Sequence, residues 1–155
     1  MAAAAQSGKA TTVKTTFSRE TSGSIDIKAD AAIVWALLTK AQDYPRWNST
    51  VTSIEGNIAL GGKIKLKSVL DAKRTFKLTV KEFVPEKRLV WGDGQGNRVY
   101  TISKNENGTV TFTMTEKIGG LMFPMYASMI PSFDQSFEQF ARDLKGEAET
   151  IMNSK

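Results

Sequence analysis

The chain has 155 residues, 41% of them apolar and 24% charged. That size and composition predict one folded domain and exclude a disordered or fibrous chain. There is no Cys and no His, so disulfides, thiolate metal sites, thiol nucleophiles, Ser-His-Asp triads and His-based metal centres are excluded. Neither a metal site nor a cofactor is expected.

Lys and Arg number 21 against 16 Asp and Glu, a net charge of +5. A basic balance invites a nucleic-acid reading. The pattern argues against it. Lys63, Lys65 and Lys67 alternate with Ile64 and Leu66, and Lys77 and Lys81 alternate with Leu78 and Val80. They mark the wet face of strands, so no nucleic-acid partner is expected. No apolar run approaches bilayer-spanning length, so no integral membrane association is expected.

Residues 1–23 are rich in Ala, Ser, Thr and Gly and read as a mobile N-terminal tail, with the folded domain spanning 24–155. The apolar block Ala2 to Ala5 is too short for a signal-peptide core. A cytoplasmic location is expected.

Ser24 to Lys28 alternates and predicts a strand. Asp30 then stands where a helix N-cap belongs, its carboxylate placed to accept free N–H groups. Ala31 to Lys40 follows as a helix with Ile33, Val34, Leu37 and Leu38 on one side. Tyr44-Pro45 is expected to break it, with room for a short helical turn over Ala41 to Tyr44.

From Asn48 to Lys117 the period changes to two. Six strands are predicted: Thr50–Glu55, Lys63–Leu70, Arg74–Phe83, Arg88–Gly92, Arg98–Lys104 and Thr109–Ile118. The turn signals between them are short, Asn107-Gly108 being the strongest, so neighbouring strands run antiparallel. Phe76, Leu78 and Val80 share one face, as do Val110, Phe112 and Met114. An apolar sheet face needs a cover. Phe133, Phe137, Phe140, Leu144, Ala148 and Ile151 supply it, as one stripe of a helix about 20 residues long starting near Pro131. Glu138 and Arg142 are expected to pair on its outer side.

Several segments carry a family resemblance through their order and spacing. They are Ile25 to Asp30, Val34 to Thr39, Tyr44-Pro45-Arg46-Trp47-Asn48, Gly61 to Leu66, Phe83 to Trp91, and Phe137 to Lys145. Together they resemble the SRPBCC or START-like (helix-grip) superfamily, and within it the polyketide cyclase/dehydrase-like branch. The resemblance implies an α+β fold. A curved antiparallel sheet of seven strands (β-α-α-β6-α) wraps around a long C-terminal helix. It further implies a cavity between sheet and helix for a small hydrophobic or amphipathic molecule, lipid- or polyketide-like. Two alternatives stay open. One is a polyketide cyclase/dehydrase-type enzyme working by proton transfer without metal. The other is an interaction module resembling activators of a chaperone ATPase. A monomer or a homodimer is expected in either case. Family membership alone does not decide between them.

Strand phase and helix face give the expected lining: Phe76, Leu78, Trp91, Tyr100, Phe112, Met114, Met129, Phe133 and Phe137. Met114, Met122, Met125 and Met129 suit an adaptable ligand wall and irregular core gaps equally well. Leu121 to Tyr126 reads either as a gate over the cavity mouth or as a buried helical turn. Trp47 reads as a packed corner rather than a lid edge. For proton-transfer chemistry the candidates are Glu82 and Glu116, which continue the apolar phases of their strands, with Tyr100 and Arg98 as polar anchors.

Overall fold

The computed structural model describes residues 7–155. Its order is β1 (Ser7–Lys14), β2 (Ser18–Ile27), α1 (Ala31–Thr39), α2 (Tyr44–Trp47), β3 (Val51–Gly56), β4 (Lys63–Ser68), β5 (Asp71–Val84), β6 (Arg88–Gly92), β7 (Gly96–Lys104), β8 (Val110–Gly119), α3 (Phe123–Tyr126) and α4 (Asp134–Asn153). Single turns of 3-10 helix span Ala41–Asp43 and Ala127–Met129. One antiparallel sheet of eight strands runs β1-β2-β8-β7-β6-β5-β4-β3, and α4 lies against it as in a helix-grip fold.

The eighth strand comes from the segment expected as tail. Residues 7–14 pair with β2, and β2 begins at Ser18, well before Ser24. Thr-rich alternation over Thr11 to Thr16 offers weak apolar contrast, because both faces of this ribbon carry small polar groups. Tertiary contacts hold it instead. Thr12 Oγ1 donates to Asp134 Oδ1 at 2.5 Å, and the Ala10 N–H donates to Glu138 Oε2 at 3.0 Å. Glu138 therefore faces β1 rather than Arg142, and the predicted outer pair does not form. Arg142 donates to Gln139 Oε1 instead, at 3.0 Å. Residues 1–6 of the expected tail lie outside the described residues.

The remaining strands lie within a few residues of their predicted bounds. Asp30 takes the N-cap position of α1, but its carboxylate makes no capping bond; its carbonyl accepts from the Ile33 and Val34 N–H groups. Pro45 does not end α1, which stops at Thr39. It sits in the first turn of α2, where a missing N–H costs nothing. The α1 stripe Ile33, Val34, Leu37 and Leu38 is buried. So is the α4 stripe through Ala148, with Ile151 half-buried at its end.

Register explains which sheet residues look inward. Glu116, Arg98, Trp91 and Val80 form one row across β8, β7, β6 and β5. Met114, Tyr100, Leu89 and Phe83 form the next. On the convex side Ser22, Ser24 and Asp26 oppose Thr115, Thr113 and Thr111, and each pair is joined by a side-chain hydrogen bond. Hydroxyl ladders of this kind stabilise a wet sheet face modestly.

Candidate functional site

The space beneath α4 divides into a solid half and an open half. In the solid half Tyr100, Phe112 and Phe140 stack with ring centroids 5.7 to 6.1 Å apart. Trp47 meets Phe140 edge-on at 5.8 Å, and Tyr44 meets Trp47 at 5.1 Å. All five rings are buried. The Tyr44 hydroxyl donates to the Leu38 carbonyl at 2.6 Å, tying the corner to the end of α1. Burial pushes the Tyr44 phenol well up from its ordinary range. Trp47 is thus a packed corner, as the sequence predicts.

The open half lies toward the other end of the sheet. A cavity of about 170 Å³ is bounded by β4 to β8, by the Met129–Pro131 stretch and by the first turn of α4. Its apolar wall includes Leu66, Phe76, Leu78, Trp91, Ile118 and Phe133. Leu66 opposes Phe76 across β4 and β5, and Leu78 opposes Ile64. Gly92 and Gly96 also border the space. A Cβ at Gly92 would stand 2.1 Å from Asn97 Oδ1 and 2.3 Å from the Gly96 carbonyl. The tight turn between β6 and β7 therefore requires glycine there.

Of the nine predicted lining residues, Phe76, Leu78, Trp91, Met129 and Phe133 border the cavity. Tyr100, Phe112, Met114 and Phe137 do not. Tyr100 and Phe112 share the correct face but stack with Phe140, Met114 lies in the same row as Tyr100, and Phe137 of α4 is covered by Phe133 and Arg98. Face is set by strand phase, whereas solid or hollow depends on where the helix crosses, which phase does not encode. Met122 and Met125 point to solvent, at 59% and 74% exposure. The Leu121–Tyr126 segment is therefore not a buried turn: only Phe123 is buried, edge-on to Tyr126 at 5.6 Å.

The polar candidates separate as well. A register shift between Val80 and Glu82 resets the phase of β5. Phe83 turns inward to meet Trp35 at 5.1 Å, and Glu82 turns outward, 49% exposed and paired with Arg88 at 2.9 Å. A bulge inverts every side chain beyond it, so Glu82 points away from the cavity. Glu116 and Arg98 both line the cavity, each side chain 18% exposed. Glu116 Oε1 accepts from Nε and Nη2 of Arg98. Arg98 also lies over the Phe137 ring at 5.0 Å. Burial works against its charge, but Glu116 and Tyr100 more than offset that, so the guanidinium stays protonated. Burial raises the Tyr100 phenol to about 12, against the opposing pull of Arg98. Tyr100 lies within the core, stacked with Phe112 and Phe140, rather than touching the cavity.

Arg19 was not legible as a site residue, because it fell in the expected tail. It is 6% exposed, donates to the carbonyls of Ile130 at 3.2 Å and Pro131 at 2.7 Å, and covers the Phe133 ring at 4.7 Å. It fixes the stretch that closes one side of the cavity. Burial lowers its pKa, while Glu116 and Asp134 favour the charged form. Among the described residues no cluster of acidic side chains is arranged to hold a metal ion, and no helix is long and apolar enough to cross a membrane.

An antiparallel sheet gripping a long C-terminal helix, hollow at one end, is the architecture of the START/SRPBCC superfamily. Within it, the chain belongs to the family described as polyketide cyclase/dehydrase and lipid transport, whose model matches residues 18–149. Comparison with curated proteins returns no match. Among solved structures the chain is similar to a START superfamily protein from Mycobacterium smegmatis, with TM-score 0.62 and 14% identity over 85% of this chain and 98% of that one. It is also similar to a Rhodobacter sphaeroides protein, with TM-score 0.65 and 18% identity over 92% and 99%. A third is a point mutant of Thalictrum norcoclaurine synthase in complex with a transition-state analogue, with TM-score 0.65 and 10% identity over 91% and 98%. At these identities the likeness is one of fold.

Proposed function

We propose that this protein binds a small hydrophobic or amphipathic molecule in the cavity between the β4–β8 part of the sheet and the start of α4. The observation that carries the reading is the cavity's wall. Phe76, Leu78, Trp91, Ile118 and Phe133 leave apolar surface around about 170 Å³, in a fold whose opposite half is filled with rings. Apolar surface left facing a hollow gains free energy when an apolar guest replaces water there, at roughly 25 cal/mol per Å². The family description includes lipid transport, which agrees with such a guest. Binding is favoured over proton-transfer catalysis because, of the three carboxylates in the wall, Glu116 is engaged by Arg98, Asp93 by the Gln95 and Gly96 N–H groups, and Asp71 is exposed to solvent.

Native mass spectrometry and thermal shift with a panel of alkanols, naphthalene derivatives and short lipids test the reading. Members that fit should give a retained one-to-one adduct and a raised Tm. Leu78→Trp, which fills the hollow, should abolish both. No adduct and no shift across the panel would contradict the proposal.

A further inference from the structure

The cavity differs in charge from the molecule around it. The chain as a whole carries +5, yet the lining holds three anionic side chains, Asp71, Asp93 and Glu116, against two cationic ones, Arg74 and Arg98. Arg74 is placed over the Phe76 ring at 4.5 Å. Asp93 accepts the Gln95 and Gly96 N–H groups at 2.8 and 3.0 Å, so its carboxylate shapes the turn. Arg98 and Glu116, each side chain 18% exposed, are directly opposed in the β7–β8 register.

This pair offers a ligand two kinds of hydrogen bond. A guanidinium has five N–H donors. Glu116 Oε1 takes one each from Nε and Nη2, which leaves donor capacity on Arg98. Glu116 Oε2 accepts no bond from a protein donor in the hydrogen-bond network of the described residues. The pair thus presents a donor beside an acceptor, with no net charge. Its complement is a neutral group that also donates and accepts, such as a hydroxyl or a carboxamide. A ligand carboxylate would meet a guanidinium already neutralised and a carboxylate of its own sign, and would leave solvent to do so. The flanking rings of Phe76, Trp91 and Phe133 favour a flat aromatic body.

Resting on the binding reading above, we propose that the cavity selects an uncharged aromatic amphiphile. The ligand's hydroxyl or amide N–H donates to Glu116 Oε2, and its oxygen accepts from Arg98. Fatty acids and other carboxylates are then poor ligands, despite the basic charge of the chain.

Isothermal titration at pH 7 with naphthalene, 2-naphthol, 2-naphthamide and 2-naphthoate tests this on one ring system. The proposal predicts that 2-naphthol and 2-naphthamide bind at least about tenfold more tightly than 2-naphthoate, and more tightly than naphthalene. Glu116→Gln should reverse the order, since Arg98 is then an unpaired cation facing the ligand. The wild-type comparison decides by itself if that variant does not fold. Equal or tighter binding of 2-naphthoate to the wild type would overturn the inference. Equal binding of naphthalene and 2-naphthol would overturn the head-group assignment while leaving the cavity a ligand site. Failure of all four to bind would overturn this inference and count against the binding reading beneath it.

Discussion

Arg19 shows how one side chain links the β1–β2 side of the sheet to the cavity. It rises from β2, satisfies two carbonyls in the stretch before α4, and lays its guanidinium on Phe133. Hydrogen bonds from charged donors are worth more than neutral ones, about 1.5–3 kcal/mol each where well buried. Arg19→Met keeps the aliphatic stem and removes the donors. It should lower unfolding free energy by about 1–3 kcal/mol, read from urea denaturation, and should weaken ligand binding by loosening Ile130 and Pro131. An unchanged midpoint would mean that these carbonyls are equally well served by water. Sequence periodicity could not find this residue, since nothing in its neighbours marks a cation aimed at a segment more than a hundred residues away. Arg98 and Glu116 were legible as candidates because strand phase alone places them inward. Glu82 was misread for the same reason, as a bulge cannot be seen in a run of alternating residues.

At the scale of elements, α4 serves as both lid and plug. Its stripe of Phe137, Phe140, Leu144 and Ala148 was readable from the 3.6-residue period, and all four are buried. What the period could not show is that Phe140 completes a stack with Tyr100 and Phe112 that closes half of the interior. Phe140 is fully buried, so Phe140→Ala removes both transfer free energy and packing. A loss of about 3–5 kcal/mol is expected, measured as the shift in unfolding free energy at constant m-value. A loss under about 1 kcal/mol would mean that the stack does not hold the helix to the sheet. The β1–β2 ribbon belongs at this scale too. Its Thr-rich sequence has no apolar face to read. Its place is set by Asp134 and Glu138 of α4, and Glu138 read as solvent-facing only while β1 was unseen.

The whole molecule follows a division of the concave surface along its length. At one end, rings from four separate elements fill the space and provide the stable core. At the other, the sheet curves away from the start of α4 and leaves a hollow edged by Met129 and Pro131. The helix-grip order of elements and the family were readable because many short motifs recur in fixed order. The extent of the hollow was not, because it depends on helix placement to within one side chain's width. From Gly119 to Phe133 the chain carries no charged residue; it exposes Leu121, Met122, Met125 and Met129, of which Met129 borders the cavity.

Everything functional here depends on that hollow accepting a guest. A proton–nitrogen correlation NMR titration with 2-naphthol tests this most directly. Shifts are predicted at the amides of Phe76, Gly92, Glu116, Ile118 and Phe133 and at the Trp91 indole, with Leu144 and Ala148 unmoved. Saturation without change at those sites, or change confined to Leu121, Met122 and Met125 on the outer surface, would contradict the account.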